Sequence, residues 1–197
     1  MKKFGGTSVT SNEDREKIKE SVIIDIEKGY SPVVVVSAMG RNNAPYSTDT
    51  LINLYKSIHE QSSKRDLDLL MSCGEIISAT LVSAYLNSKG ISAIAMTGFQ
   101  AGIITDDHYG EAKVKSVNTA YLHEVIRKGI VPVVTGFQGI STNGDITTLG
   151  RGGSDTTATL LGEALKADKV EIYTDVSGVM TADPRIVENA TLLKSMN

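Results

Sequence analysis

Two six-residue runs decide most of what this chain can become. Residues 32–37 read Pro-Val-Val-Val-Val-Ser, and residues 130–135 read Ile-Val-Pro-Val-Val-Thr. Neither alternates apolar with polar, so neither suits a sheet with one wet face. A continuous β-branched run is the pattern of a strand covered on both sides. Residues 91–97 and 169–174 read the same way. Helical patterns lie between these strands, over 12–28, 48–57, 67–86, 118–128 and 155–166. Gly29, Gly90 and Gly129 each follow a helix and precede a strand, where a C-terminal cap belongs. This alternation predicts crossover units and an α/β three-layer sandwich around a mainly parallel central sheet.

One segment breaks the alternation. Residues 136–141 and 145–149 flank Asn143-Gly144. That dipeptide favours the left-handed dihedrals of a tight turn, so a β-hairpin is expected near 137–149. It would deliver the following glycine-rich segment to the edge of the sheet. The first strand is expected over residues 2–4, short even for an edge. No internal repeat, low-complexity tract or linker divides the chain, and one domain over 1–197 is the simplest reading. The apolar pattern that begins at 192–197 stops abruptly, so the chain is expected to be part of a longer one.

Composition narrows the partners. The formal net charge is −3 and the basic residues are scattered, with Lys64-Arg65 and Lys113/Lys115 the nearest approach to patches. A general nucleic-acid affinity is therefore not expected. Tryptophan is absent and aromatics make up 5%, which argues against a base-stacking platform. No apolar run reaches membrane-spanning length, and residues 1–5 lack the apolar core of a signal peptide. The single cysteine, Cys73, excludes an internal disulfide framework and fits a reducing cytosol. A cytoplasmic protein without nucleic-acid or membrane partners is expected.

The densest chemistry sits at 147–157, Thr-Thr-Leu-Gly-Arg-Gly-Gly-Ser-Asp-Thr-Thr, where a strand gives way to a helix. A helix start carries unpartnered N–H groups and positive partial charge, glycines let an anion approach, and Arg151 adds a fork that fits carboxylate or phosphate. At the N-terminus, Lys3-Phe4-Gly5-Gly6-Thr7-Ser8 offers an ammonium, two glycines and two hydroxyls before a helix. That suits phosphate, or is simply a terminal turn with a solvated lysine. The spacing is not that of a nucleoside-triphosphate P-loop, which occurs nowhere in the chain.

Three further places stand out. Ser37-Ala38-Met39-Gly40 closes a buried strand, and ligands of open α/β sheets bind at strand C-terminal ends. Beyond it, Thr48 or Asp49 either caps the next helix or meets a substrate. Ser72 and Glu75 have capping-box spacing, while Glu75 could equally hold an ammonium in a cleft. Thr174-Asp175 ends a strand, and Asp183-Pro184-Arg185 fixes an extended turn that presents Arg185 at the same end of the sheet. Cys73 reads as a small buried filler, and His59, His108 and His123 show no metal-ligand spacing.

The order of these motifs resembles the catalytic domain of the aspartokinases (aspartate kinases), within the amino-acid kinase family. The resemblance rests on Lys3-Phe4-Gly5-Gly6-Thr7-Ser8, Ser37-Ala38-Met39-Gly40, Ser72-Cys73-Gly74-Glu75, Gly136-Phe137-Gln138-Gly139, the run from Thr148 to Asp155, and Thr174-Asp175 to Arg185. It implies the amino-acid kinase fold, with ATP and Mg2+ as cofactors and L-aspartate as acceptor. The product would be 4-phospho-L-aspartate, on the route to lysine, threonine and methionine. It further implies Lys3 at the transferring phosphoryl group beside Phe4, Gly5 and Gly6, with Asp155 orienting it. Ser37, Thr48, Glu75, Phe137, Arg151 and Ser154 would line the aspartate pocket, Glu75 meeting the amine and Arg151 a carboxylate. Thr174, Asp175, Met180, Asp183 and Arg185 would hold ATP, and Met180 stands where relatives often have tyrosine. The magnesium ligand is left open. Other acceptors within the same fold (acetylglutamate, glutamate, carbamate or uridylate) and a non-catalytic amino-acid-binding subunit are the alternatives. The family also implies a homo- or hetero-oligomeric parent with regulatory domains that this chain lacks, so the isolated chain is expected to turn over poorly.

Overall fold

The computed structural model describes residues 1–41, 43–61 and 63–174, together with 178, 181, 186, 187 and 189–191. Five strands form one parallel sheet: β1 (Lys2–Phe4), β2 (Val34–Val36), β3 (Ala93–Met96), β6 (Val131–Thr135) and β9 (Glu171–Tyr173). Their order is β3-β6-β2-β1-β9. β1 therefore lies inside the sheet between β2 and β9, not at an edge as its length suggested. Short strands suffice there because hydrogen-bonded neighbours on both sides satisfy the backbone.

The valine runs do what two-sided burial requires. Val34 and Val36 pack with Ile18 and Val22 of α1 (Asn12–Glu27) and Val82 and Leu86 of α3 (Lys64–Ser88). Val33 and Val35 face the other way, onto Leu122 and Val125 of α4 (Ala120–Arg127) and Leu161 of α5 (Gly153–Ala164). Side chains alternate across a strand, so one run feeds two cores and the sheet is sandwiched between helix layers. The expected glycine caps are present, with φ of 82° at Gly29, 81° at Gly90 and 71° at Gly129.

By length and apolar composition α3 could cross a membrane, a correction to the expectation drawn from apolar runs. Here it is a core helix: Met71, Gly74, Ala79, Val82 and Leu86 are buried along one face.

A second sheet was only half legible in the sequence. Its order is β5-β4-β7-β8, with β4 (Ile103–Thr105), β5 (Val114–Val117), β7 (Gln138–Ser141) and β8 (Ile146–Thr148). The β7–β8 hairpin forms as expected, but it belongs to this mixed sheet and not to the edge of the parallel one. Its turn also differs. The left-handed residue is Gly144 at φ 86°, and Asn143 is not left-handed. Gly144 N–H donates to Ser141 O at 3.0 Å, and Ser141 N–H donates to Asp145 O at 2.8 Å. This is a one-glycine turn of the type-I-plus-bulge kind, in which only the last loop residue needs a positive φ.

Asp68 ties the second sheet to α3. It is 1% exposed, and its Oδ2 accepts from Gly110 N–H and Thr148 N–H, both at 2.9 Å. Its Oδ1 accepts from Thr148 Oγ1 at 2.8 Å. Asp68→Ala would strand two buried donors of Thr148 and one half-buried donor of Gly110, and loosen the strand that leads into the glycine-rich segment. The expected cost is roughly 3 kcal/mol in urea unfolding at neutral pH. A change below about 0.5 kcal/mol would show that Asp68 is not an anchor.

Candidate active site

The C-terminal ends of β1, β2, β6 and β9 open onto one crevice of about 320 Å3, walled also by the starts of α2 (Thr48–Ile58) and α5 and by the middle of α3. The loops that build it are pressed together. A Cβ on Gly6 would stand 2.5 Å from Ala38 O and 2.8 Å from Gly40 O, so only glycine lets the loop after β1 lie against the loop after β2. Gly40 N–H donates to Gly6 O at 3.0 Å and fixes that contact.

β1 sorts its two lysines by strand alternation. Lys2 turns to the α1 side, where Nζ meets Glu171 at 2.6 Å, Asp25 at 3.1 Å and Tyr173 Oη at 3.3 Å. Lys169 first, and Lys2 after it, hold the Glu171 carboxyl down at about 2. Lys3 turns the other way, into the crevice. It is 7% exposed, and its Nζ lies 2.9 Å from Asp155 Oδ1 in the first turn of α5. The cation is thus held at the mouth of a helix N-terminus, where both the ammonium and the helix favour an anion. Arg151, at the same junction, is exposed, lines the crevice and makes no ion pair among the described residues.

Phe137 is held in the left-handed region at φ 70°, an uncommon conformation for a side-chain-bearing residue. Its N–H donates to Thr157 Oγ1 at 3.1 Å, and its carbonyl accepts from Leu149 N–H at 2.8 Å. These two bonds turn the ring toward the start of α5, where Gly153 leaves room for it.

Glu75 carries the largest electrostatic perturbation here. It is 2% exposed; Oε1 accepts from Ala38 N–H at 2.9 Å, and Oε2 is buried without a hydrogen-bond partner. Burial, opposed by the Ala38 and Glu75 backbone N–H groups, pushes its carboxyl up to about 8. The capping-box reading of Ser72 and Glu75 is wrong. Both lie mid-helix in α3, which Ser63 caps, and Ser72 Oγ donates to Leu69 O at 2.7 Å. Among the described residues, a capping box forms at Ser11 with Asp14, at α1.

Lys3, Gly5, Gly6, Ser37, Thr48, Glu75, Phe137, Arg151, Ser154, Asp155 and Thr174 all line the crevice. Phe4 does not. It is 3% exposed, and its ring stacks on Tyr173 with centroids 4.5 Å apart. Asp175, Met180, Asp183 and Arg185 lie outside the described residues. Asp49 lines the crevice in the first turn of α2, whose cap is Ser47. Arg41 was passed over in the sequence; it too lines the crevice, and its place right after the strand-closing Gly40 was the available signal. Cys73 is half-buried, not a core filler, and donates from Sγ to Leu69 O at 3.5 Å. All three histidines are exposed.

A parallel sheet with a glycine-lined, lysine-bearing crevice at its carboxyl edge defines an anion-handling α/β enzyme fold. The chain belongs to the amino acid kinase family, whose model matches residues 2–197. It is 47% identical over 197 residues to the aspartokinase of Geobacillus stearothermophilus, covering 100% of this chain and 47% of that one. Among solved structures it resembles the aspartate kinase from Synechocystis, with TM-score 0.78 and 44% identity over 98% of this chain and 31% of that one. It also resembles E. coli aspartokinase III in complex with aspartate and ADP (R-state), with TM-score 0.78 and 27% identity over 98% of this chain and 52% of that one. The chain spans about half the length of the curated relatives it matches.

Proposed function

We propose that this chain is the catalytic domain of an aspartate kinase, transferring the γ-phosphoryl of ATP to the side-chain carboxylate of L-aspartate. The observation that carries the reading is one crevice that joins the Lys3–Asp155 pair to the buried Glu75 and to Arg151, which makes no ion pair among the described residues. A cation and a helix N-terminus suit phosphates, a buried carboxyl suits an amine, and a guanidinium suits a carboxylate. The structural relative solved with aspartate and ADP supports the same pair of ligands.

The acceptor carboxylate is already ionised at neutral pH, so no strong base is required. Its oxygen attacks the γ-phosphorus while the bond to the ADP oxygen breaks, and catalysis is positioning plus charge neutralisation. In this reading Lys3 meets the transferring group, Asp155 holds Lys3 in place, Glu75 takes the amine and Arg151 a carboxylate. Ser37, Thr48, Phe137 and Ser154 shape the pocket, and Thr174 reaches the nucleotide. The roles of Asp175, Met180, Asp183 and Arg185 toward ATP belong to the same proposal.

Magnesium fits the donor set in the usual way for a kinase. The described residues contain no cluster of three or more His, Cys, Asp or Glu side chains placed to cage a metal. Mg2+ needs only one or two carboxylates beside substrate phosphates, and among the described residues Asp155 is the crevice carboxylate that pairs with Lys3. Bound there, it would screen the phosphate charge. A cytoplasmic location fits the single cysteine, and we take the other half of the relatives' length as supplying regulation.

The test is ADP release with a panel of acceptors: L-aspartate, L-glutamate, N-acetyl-L-glutamate, carbamate and UMP. Acceptors are compared within one preparation, so a low absolute rate does not decide the outcome. L-aspartate is expected to exceed each rival by about tenfold or more, since a site built around polar partners rejects ligands that leave them unpaired. A higher rate with any other acceptor overturns the assignment.

A further inference from the structure

The Glu75 carboxyl has one oxygen satisfied and one stranded. Oε1 takes the Ala38 N–H, while Oε2 is buried with no hydrogen-bond partner, on a residue that is 2% exposed and lines the crevice. Among the described residues, the charged groups that line the same crevice are Lys3 on β1, Arg41 after β2, Asp49 on α2, and Arg151 and Asp155 at α5. Lys3 is engaged with Asp155, and no ion pair joins Glu75 to any of these among the described residues. A bare carboxylate in that position is costly, whereas the neutral acid is not. Burial is the leading influence on its titration, and it acts upward.

We propose that Glu75 reads the substrate amine by proton exchange: it holds a proton while the crevice is empty and releases it to solvent when a ligand ammonium docks against Oε2. The Glu75 O–H bond is the bond that breaks, the ammonium keeps its three protons, and one proton leaves for the buffer. The proposal rests on the reading of the crevice as an amino-acid site. It makes Glu75 specific for free amines in a way that simple contact does not. A ligand with an acylated or missing amine brings no cation, so the carboxyl stays neutral and contributes no charge pair.

Isothermal titration of L-aspartate at pH 7, in phosphate and in Tris, counts the exchanged protons, because the two buffers differ in ionisation enthalpy. The expected release is about 0.9 proton per ligand, the neutral fraction of a group titrating near about 8. Affinity is expected to strengthen by up to about tenfold per pH unit between pH 6 and pH 8. Succinate, which lacks the amine, is expected to bind more weakly with no release. The residual binding of Glu75→Gln is expected to release none. L-aspartate binding with the same observed enthalpy in both buffers once heats of dilution are subtracted, or release that persists in Glu75→Gln, overturns the proposal alone. Failure of the folded protein to bind L-aspartate at all overturns the substrate reading, and this proposal with it.

Discussion

Replacing Lys3 by alanine is expected to lower phosphoryl transfer by about 10²-fold or more, the usual loss when one preorganised donor to transition-state charge is removed. Lys3 is fixed by its strand and by the 2.9 Å contact with Asp155, so its ammonium needs no reorganisation to meet a phosphoryl oxygen. The substitution has a second cost. It leaves Asp155 as an uncompensated negative charge beside the phosphates, which repels the group that Lys3 attracted. The defect is therefore expected in kcat, with the KM for the amino acid little changed, because the amine and carboxylate contacts lie elsewhere in the crevice. Lys3→Arg keeps the charge but changes a point cation into a broad fork, and partial activity is expected. Steady-state kinetics with a circular-dichroism melt as folding control checks this. A Lys3→Ala enzyme within about threefold of the parent would remove Lys3 from the chemistry.

Glu75→Gln is expected to move function and stability in opposite directions. Function loses the ammonium–carboxylate pair, so KM for L-aspartate should rise by roughly 10²-fold with a smaller change in kcat, as for loss of a charge-assisted hydrogen bond. Stability gains, and its sign follows from titration. The folded carboxyl titrates near about 8, above the unfolded value of 4.5. Its favourable contribution is whole below pH 4.5 and is lost as pH rises through about 8. Glutamine carries no such loss, so the variant should gain on the parent by up to about 1.4 kcal/mol per pH unit across that window. Denaturant unfolding of both proteins at pH 5 and pH 8 reads the difference. A variant equally or less stable at pH 8 relative to pH 5 would mean that Glu75 is ionised in the folded protein without a ligand.

The reach of sequence reasoning followed local pattern. The valine run at 32–37 and its counterpart at 130–135 could only be buried on both faces, and the two cores that divide Val33 and Val35 from Val34 and Val36 are the result. Helices announced by capping glycines appeared where expected. The missed strands, Ile103–Thr105 and Val114–Val117, are too short to carry a period and exist because β7 and each other complete their hydrogen bonding. Non-local partners decided the other surprises. Nothing local distinguishes Lys2 from Lys3; only the pairing of β1 with β2 and β9 sets which face each takes. Ser72 and Glu75 match a capping box in spacing, yet α3 starts at Lys64 and runs through them, so Glu75 became a wall of the crevice. Phe4 was read with its glycine neighbours but is drawn into the core by Tyr173, which lies 169 residues further along the chain.

The crevice residues themselves were largely legible, because each sits in a glycine- or hydroxyl-bearing turn at the end of a strand or at a helix start. Their convergence was not visible in any one motif. It follows from parallel pairing, which points every strand's carboxyl end the same way and gathers Lys3, Ser37, Phe137 and Thr174 at one edge.

The most direct test of this account is a crystal structure of the protein with L-aspartate and ADP bound. The account predicts the ligand amine against Glu75 Oε2, a ligand carboxylate on the Arg151 guanidinium, and the ADP phosphates directed at Lys3 and the loop of Gly5 and Gly6. Aspartate bound outside the crevice, or bound within it while its amine avoids Glu75 and the nucleotide leaves Lys3 untouched, would contradict it.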